Sequence, residues 1–248
     1  MIAWCRHRSE ELRVGMMFLT RLPMGRVARP VPMAATVWTW PLAGLAVGAV
    51  FALVHAGAGA LGLAPAIAVV LALVAALLAS GGLHEDGLAD LADGAGGGGD
   101  AARRLSIMKD SRLGSYGAMA LIFVITLNIL GWLEIESPAF LAMALGALSR
   151  MGMPLCALAF APAQPSGLAH HLRQGLQSGA VAVALALGIA LGLALLGTEA
   201  LVLGGTCLVV QLGLCLYAQR VLGGITGDVL GAGQVLGALA SLLLAGRL

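Results

Sequence analysis

Seven apolar runs divide this sequence, and each is about as long as a bilayer is thick. They lie at about 34–54, 65–82, 117–133, 138–160, 179–196, 200–217 and 229–245. A helix needs about 20 mainly apolar residues to cross the hydrocarbon core, so the pattern predicts an all-α, polytopic integral membrane protein with about seven transmembrane helices. The charge content agrees. Only 10% of residues are charged and the mean hydropathy is +0.97, whereas a soluble domain carries about 25% charged residues. Too few charges are present to cover a water-exposed surface. The period-two alternation of a membrane barrel is missing, and lipid otherwise admits only helices, whose backbone groups pair within each segment. Pro41 and Pro154 fall inside apolar runs, where neighbouring helices can accommodate them. No composition shift marks a boundary, so residues 1–248 are expected to form one membrane domain.

Orientation follows from Lys and Arg, which accumulate in cytoplasmic loops. With the N-terminus inside, Arg6, Arg8, Arg13, Arg21, Arg26, Arg29, Arg103, Arg104, Lys109, Arg112, Arg173 and Arg220 are cytoplasmic, twelve of the fourteen basic residues. The outer loops then hold Glu134, Glu136 and Glu199. Arg150 falls within the fourth run, and Arg247 at the outer C-terminal end. The expected location is a bacterial inner membrane, with the lipid bilayer as the main partner. The apolar stretch 14–19 is too short for the core of a cleavable signal peptide. Cys5, Cys156, Cys207 and Cys215 form no CxxC pair and read as small core or lipid-facing residues. The net charge of +2 offers no basis for a nucleic-acid partner.

The polar residues concentrate in two segments on the assigned cytoplasmic side, about 83–116 and about 162–178. The first begins G-G-L-H-E-D-G-L-A-D-L-A-D-G, residues 81–94. Asp86, Asp90 and Asp93 stand at i, i+4 and i+7 and project within about 60° of one another on a helix. Three ionised carboxylates on one stripe repel, and Leu88, Ala89, Leu91 and Ala92 make the rest of the helix apolar. A solvated face would mix Lys and Arg with the acids. A neutralising cation is the better reading, and oxygen-only ligands select Mg²⁺ or Mn²⁺. Glu85 lies off the stripe and reads as structural or as a supporting contact. His84 stays open between interfacial packing and a direct catalytic or substrate role.

A glycine run at 96–99 must break the helix, and a linker explains it better than a phosphate loop. Asp100 is placed to cap a following helix. Lys109 and Arg112, three residues apart, can share a face and hold phosphate oxygens. In G-G-I-T-G-D-V-L-G-A, residues 223–232, Thr226 or Asp228 can cap the last span, whose positive end attracts phosphate. Asp228 is also a candidate fourth metal ligand. Arg21, in F-L-T-R-L-P at 18–23, is either an interfacial anchor or a substrate contact. Taken together these are the parts of a Mg²⁺-and-phosphate site at the membrane face. Transfer at a diphosphate needs a metal on the diphosphate, basic groups on the leaving phosphate and a carboxylate to take a proton.

The motifs F-L-T-R-L-P at 18–23, W-P-L-A-G-L at 40–45, G-L-H-E-D-G-L-A-D-L-A-D-G at 82–94, I-M-K-D-S-R-L-G-S-Y-G at 107–117 and G-G-I-T-G-D-V-L-G-A at 223–232 resemble cobalamin synthase, the adenosylcobinamide-GDP ribazoletransferase family. They occur in family order along the chain. This sequence departs from the family pattern at Leu91, often Thr, and at Gln234, often Glu. The resemblance implies Mg²⁺-dependent transfer to the 5′ oxygen of α-ribazole, or of its 5′-phosphate. The donor is adenosylcobinamide-GDP, and the products are GMP and adenosylcobalamin or its 5′-phosphate. It implies that Asp86, Asp90 and Asp93 hold the metal and that Lys109 and Arg112 steady the diphosphate. A homo-oligomer or association with other corrinoid-pathway enzymes is compatible with it. Two alternatives are a CDP-alcohol phosphotransferase-like enzyme, which carries a related Asp-rich pattern, and an ion-coupled transporter. Against transport, no apolar run carries an acid near its middle.

Overall fold

The computed structural model describes residues 2–248, with side chains from residue 6 onward, so the side chain of Cys5 lies outside the described residues. Among them the secondary structure is helical except for one isolated bridge between Pro162 and Ile225. The helices are α1 (Ile2–Leu19), α2 (Trp40–Ala60), α3 (Pro65–Ser80), α4 (Leu83–Gly96), α5 (Ala101–Ile107), α6 (Ser115–Leu133), α7 (Pro138–Met151), α8 (Met153–Ala159), α9 (Leu168–Gly175), α10 (Ser178–Leu196), α11 (Glu199–Leu222) and α12 (Gly227–Ala245). A 3-10 segment, Met33–Thr39, leads into α2.

Among the described residues, six helical stretches are long and apolar enough to cross a membrane: Met33–Ala60, Ser115–Leu133, Pro138–Ala159, Ser178–Leu196, Glu199–Leu222 and Gly227–Ala245. Counting α3 with α4, a pair bent by 89°, brings the number to seven. The expected polytopic helical fold is therefore present. The second apolar run differs from expectation in shape. Helix α3 has 16 residues, about 24 Å at 1.5 Å per residue, short of a core of about 30 Å. Gly81 and Gly82, at φ 74° and 70°, then turn the chain sharply. Both angles favour glycine because a β-carbon is strained there.

The outer surface is apolar, as lipid requires: Phe123 and Val209 are 65% and 71% exposed. Since lipid is as apolar as a leucine, close packing and internal polar bonds must hold the helices together. Small residues supply the packing. A β-carbon on Gly44 would overlap the Gly146 carbonyl, and one on Gly48 that of Ala142, so α2 and α7 touch backbone to backbone. The fourth run is one bent span, α7 and α8, broken at Gly152 just before Pro154. Cys156, Cys207 and Cys215 are buried and unpaired, as small core residues.

Candidate active site

The glycine corner after α3 turns α4 away from the span that precedes it, so the acidic stripe lies at one end of the bundle. Arg21 braces this corner. Its backbone N–H donates to Ala79 O at 2.7 Å, and its exposed side chain covers Gly81. Helix α4 packs between α12 and α6. Two glycines permit the α12 contact: a β-carbon at Gly87 would lie 2.9 Å from Asp228 Cα, and one at Gly231 would lie 3.2 Å from His84 Cα.

That contact adds Asp228 to the acidic stripe. Asp86 is exposed, Asp90 and Asp228 are half-buried and Asp93 is buried. Partial burial, then the carboxylates of Asp86, Asp228 and Asp93, push the Asp90 carboxyl up to about 6. Desolvation and neighbouring like charges both disfavour the ionised form in this way. Asp93 has a second attachment. Its oxygens accept the backbone N–H groups of Gly114 at 2.7 Å and Gly117 at 2.8 Å, tying the start of α6 to α4. A carboxylate has further lone pairs beyond those two bonds. Among the described residues no three such side chains stand already closed into a metal cage, but the oxygen-only donor set fits a hard divalent cation.

The basic groups lie beyond α5. Asp100 caps that helix, its Oδ1 accepting the Arg103 N–H at 2.9 Å. Because α5 ends at Ile107, Lys109 and Arg112 sit on a turn and their helical spacing does not apply. Arg112 instead forms an exposed ion pair with Asp110 at 2.6 Å, which holds the Asp110 carboxyl down to about 2. Lys109 lines a cavity of about 410 Å³ together with Thr226 and Asp228. Thr226 caps α12: its hydroxyl accepts the Val229 N–H at 3.3 Å and donates to Asp228 Oδ2 at 3.1 Å. The loops around the cavity are joined by the Pro162–Ile225 bridge, in which Ala163 N–H donates to Ile225 O and Ile225 N–H to Ala161 O, each at 2.9 Å.

Residues 11–246 match the family described as cobalamin-5-phosphate synthase. The chain belongs to that family. Curated relatives named adenosylcobinamide-GDP ribazoletransferase are similar along nearly their whole length. The protein of Bradyrhizobium diazoefficiens is 42% identical over 244 residues, 95% of this chain and 92% of that protein. Those of Mesorhizobium japonicum, 40% identical with 95% and 92% covered, and Azorhizobium caulinodans, 39% identical with 91% and 91% covered, are comparable. No solved structure matches this chain. The chain is thus an enzyme, a transferase of cobalamin biosynthesis, as the motifs implied.

A polar cluster behind α4 has no counterpart in the sequence motifs. Buried Arg150 of α7 donates to Gly146 O at 3.2 Å and meets His84 Nδ1 at 3.5 Å. The charge of Glu85 also acts on it. Beside it, Ser149 Oγ accepts from Gln234 Nε2 at 2.8 Å and its carbonyl accepts from Gln211 Nε2 at 2.6 Å. Gln234 therefore serves the bundle interior, and Leu91 fills the apolar core. The one signal in the sequence was Arg150 itself, a lone charge inside an apolar run, where a functional or structural partner is the default expectation.

Proposed function

We propose that the chain joins adenosylcobinamide-GDP to α-ribazole, or α-ribazole 5′-phosphate, at the end of the bundle that carries α4, facing the cytoplasm of an inner membrane. The observation that carries this reading is the meeting of Asp86, Asp90 and Asp93 of α4 with Asp228 of α12, beside a cavity that Lys109 and Thr226 also line. Asp86, Asp90 and Asp93 would hold Mg²⁺, or Mn²⁺, with Asp228 adjacent. When bound, such a metal offsets charge on the diphosphate as it builds up in the transition state.

The residues of the chain supply the rest. The 5′ oxygen of the nucleoside forms a bond to the phosphorus that cobinamide contributes, and the bridge to the second phosphorus breaks. GMP leaves with the bridging oxygen. Asp228, which lines the cavity and lies among the carboxylates of α4, would accept the hydroxyl proton. Lys109, Arg112 and Arg21 are the cations that can hold diphosphate oxygens, Arg112 once it leaves Asp110. Thr226, at the N-terminus of α12 whose positive end attracts phosphate, is a further contact for diphosphate oxygens. The test is incubation of membranes containing the protein with adenosylcobinamide-GDP, α-ribazole and Mg²⁺. Formation of a cobalamin together with GMP is expected, and the absence of both overturns the reading.

A further inference from the structure

The cavity beside Asp228 is lined by unlike groups. Lys109, Gln164, Ser166, Thr226 and Asp228 are polar, whereas Phe18, Met108, Met153, Leu168 and Ile225 make most of the lining apolar. Its volume of about 410 Å³ falls in the range of about 300–1,000 Å³ that holds small organic ligands. One buried polar side chain also lines it. His84 is 1% exposed, and its Nε2 has no hydrogen-bond partner. The other nitrogen, Nδ1, meets the Arg150 guanidinium at 3.5 Å. A guanidinium has only donors, so Nδ1 is the acceptor and the ring hydrogen sits on Nε2. The cavity is thus largely apolar, and one of its lining residues carries a buried N–H donor without a partner, an arrangement costly to leave unused.

We propose that this cavity binds the base of the attacking nucleoside, a methylated benzimidazole, and that His84 Nε2–H donates to its free ring nitrogen. The inference rests on the transferase reading above. A planar bicyclic base with two methyl groups matches apolar walls, and its unsubstituted nitrogen is the one acceptor it presents. Bound this way, the base directs its ribose toward Asp228, where the 5′ oxygen reaches that carboxyl and the carboxylates of α4. A 5′-phosphate on the same nucleoside would meet Lys109. His84 is a specificity-determining contact to substrate, and Arg150 is a positioning residue that holds its tautomer.

The test uses the full chain in lipid nanodiscs. Equilibrium binding of α-ribazole is compared with that of an indole-type nucleoside of the same shape, in which C–H replaces the acceptor nitrogen. Wild type should bind α-ribazole about tenfold or more tightly than the isostere, because the isostere leaves a buried donor unpaired. His84→Phe should remove the preference, and His84→Gln should keep part of it. Leu168→Trp, which fills the cavity from half-buried α9, should weaken both nucleosides. Equal wild-type affinity for the two overturns the proposal, as does unchanged α-ribazole binding in Leu168→Trp. Transfer assayed in the same nanodiscs separates the two readings. Product formed equally fast from both nucleosides overturns the base pocket alone. Selective binding without any product supports the pocket and overturns the transferase reading.

Discussion

Gly87 and Asp228 meet in backbone contact: a β-carbon on Gly87 would lie 2.9 Å from Asp228 Cα and 3.0 Å from Asp228 O. Helix α12 brings its carboxylate to the acidic stripe through this gap. Gly87→Ala tests the arrangement with unusual clarity, because alanine favours a helix interior by about 1 kcal/mol over glycine. The variant should keep α4 helical while pushing α12 outward. A displacement of the order of 1 Å at a reacting group costs about a hundredfold in rate, so turnover should fall by about that factor at equal membrane abundance. Turnover within about threefold of wild type would mean that the α4–α12 approach does not set the site.

Asp86 and Asp93 should separate on substitution. Asp86 is exposed, and among the described residues its side chain makes no hydrogen bond or ion pair, whereas Asp93 caps the start of α6 through Gly114 and Gly117. Asp86→Asn is expected to abolish metal-dependent transfer without changing thermal stability in detergent. Asp93→Asn should lose transfer and also about 1–2 kcal/mol of stability, the usual cost of weakening a cap. Addition of EDTA should stop the wild-type reaction, and Mg²⁺ or Mn²⁺ should restore it. Full activity in EDTA would sink the metal assignment.

The helical membrane fold and the acidic stripe were legible because each rests on local spacing. Apolar length specifies a span, and positions 86, 90 and 93 share a helix face wherever that helix points. What spacing cannot convey is a contact between distant segments. Spacing leaves Asp228 open between cap, phosphate contact and ligand, and nothing local foretells that α12 seats it against Gly87. The roles of Asp93 and Gln234 likewise depend on partners 21 and 85 residues away. The shared face expected for Lys109 and Arg112 presumed a helix that stops at Ile107. A short polar turn with glycine and serine nearby competes with helix at that point, and Asp110 captures Arg112 locally.

Sidedness can be read with single cysteines. Cys156, Cys207 and Cys215 are buried to 1% exposure or less, so a Cys5→Ser background should label weakly. In it, Ala102→Cys on α5 should react with an impermeant maleimide only from the cytoplasmic side, and Ser137→Cys, before α7, only from outside. Both positions are exposed. The expectation follows from the cytoplasmic concentration of Lys and Arg. A reversed labelling pattern would put α4 on the face without access to a GTP-derived substrate and overturn the orientation.

Arg112 is held by Asp110 at 2.6 Å, and its side chain is 87% exposed. An exposed pair of this kind is screened by solvent and contributes little, so a diphosphate presenting more charge can draw the guanidinium away. Lys109 already borders the cavity with Asp228. If Arg112 holds the diphosphate or the departing GMP, Arg112→Ala should lower turnover by about two to three orders of magnitude, as loss of one donor to developing charge does elsewhere. Arg112→Lys should recover only part, since an ammonium cannot reproduce a two-pronged contact. Asp110→Asn frees Arg112 without removing it and should leave turnover within about threefold of wild type, because the pair it breaks is weak. An anchor to anionic lipid is the competing role, and it predicts a loss of membrane-inserted protein with turnover per molecule unchanged. Measuring turnover and membrane content together in all three variants decides between them: near-normal turnover per molecule in Arg112→Ala rules out the phosphate contact.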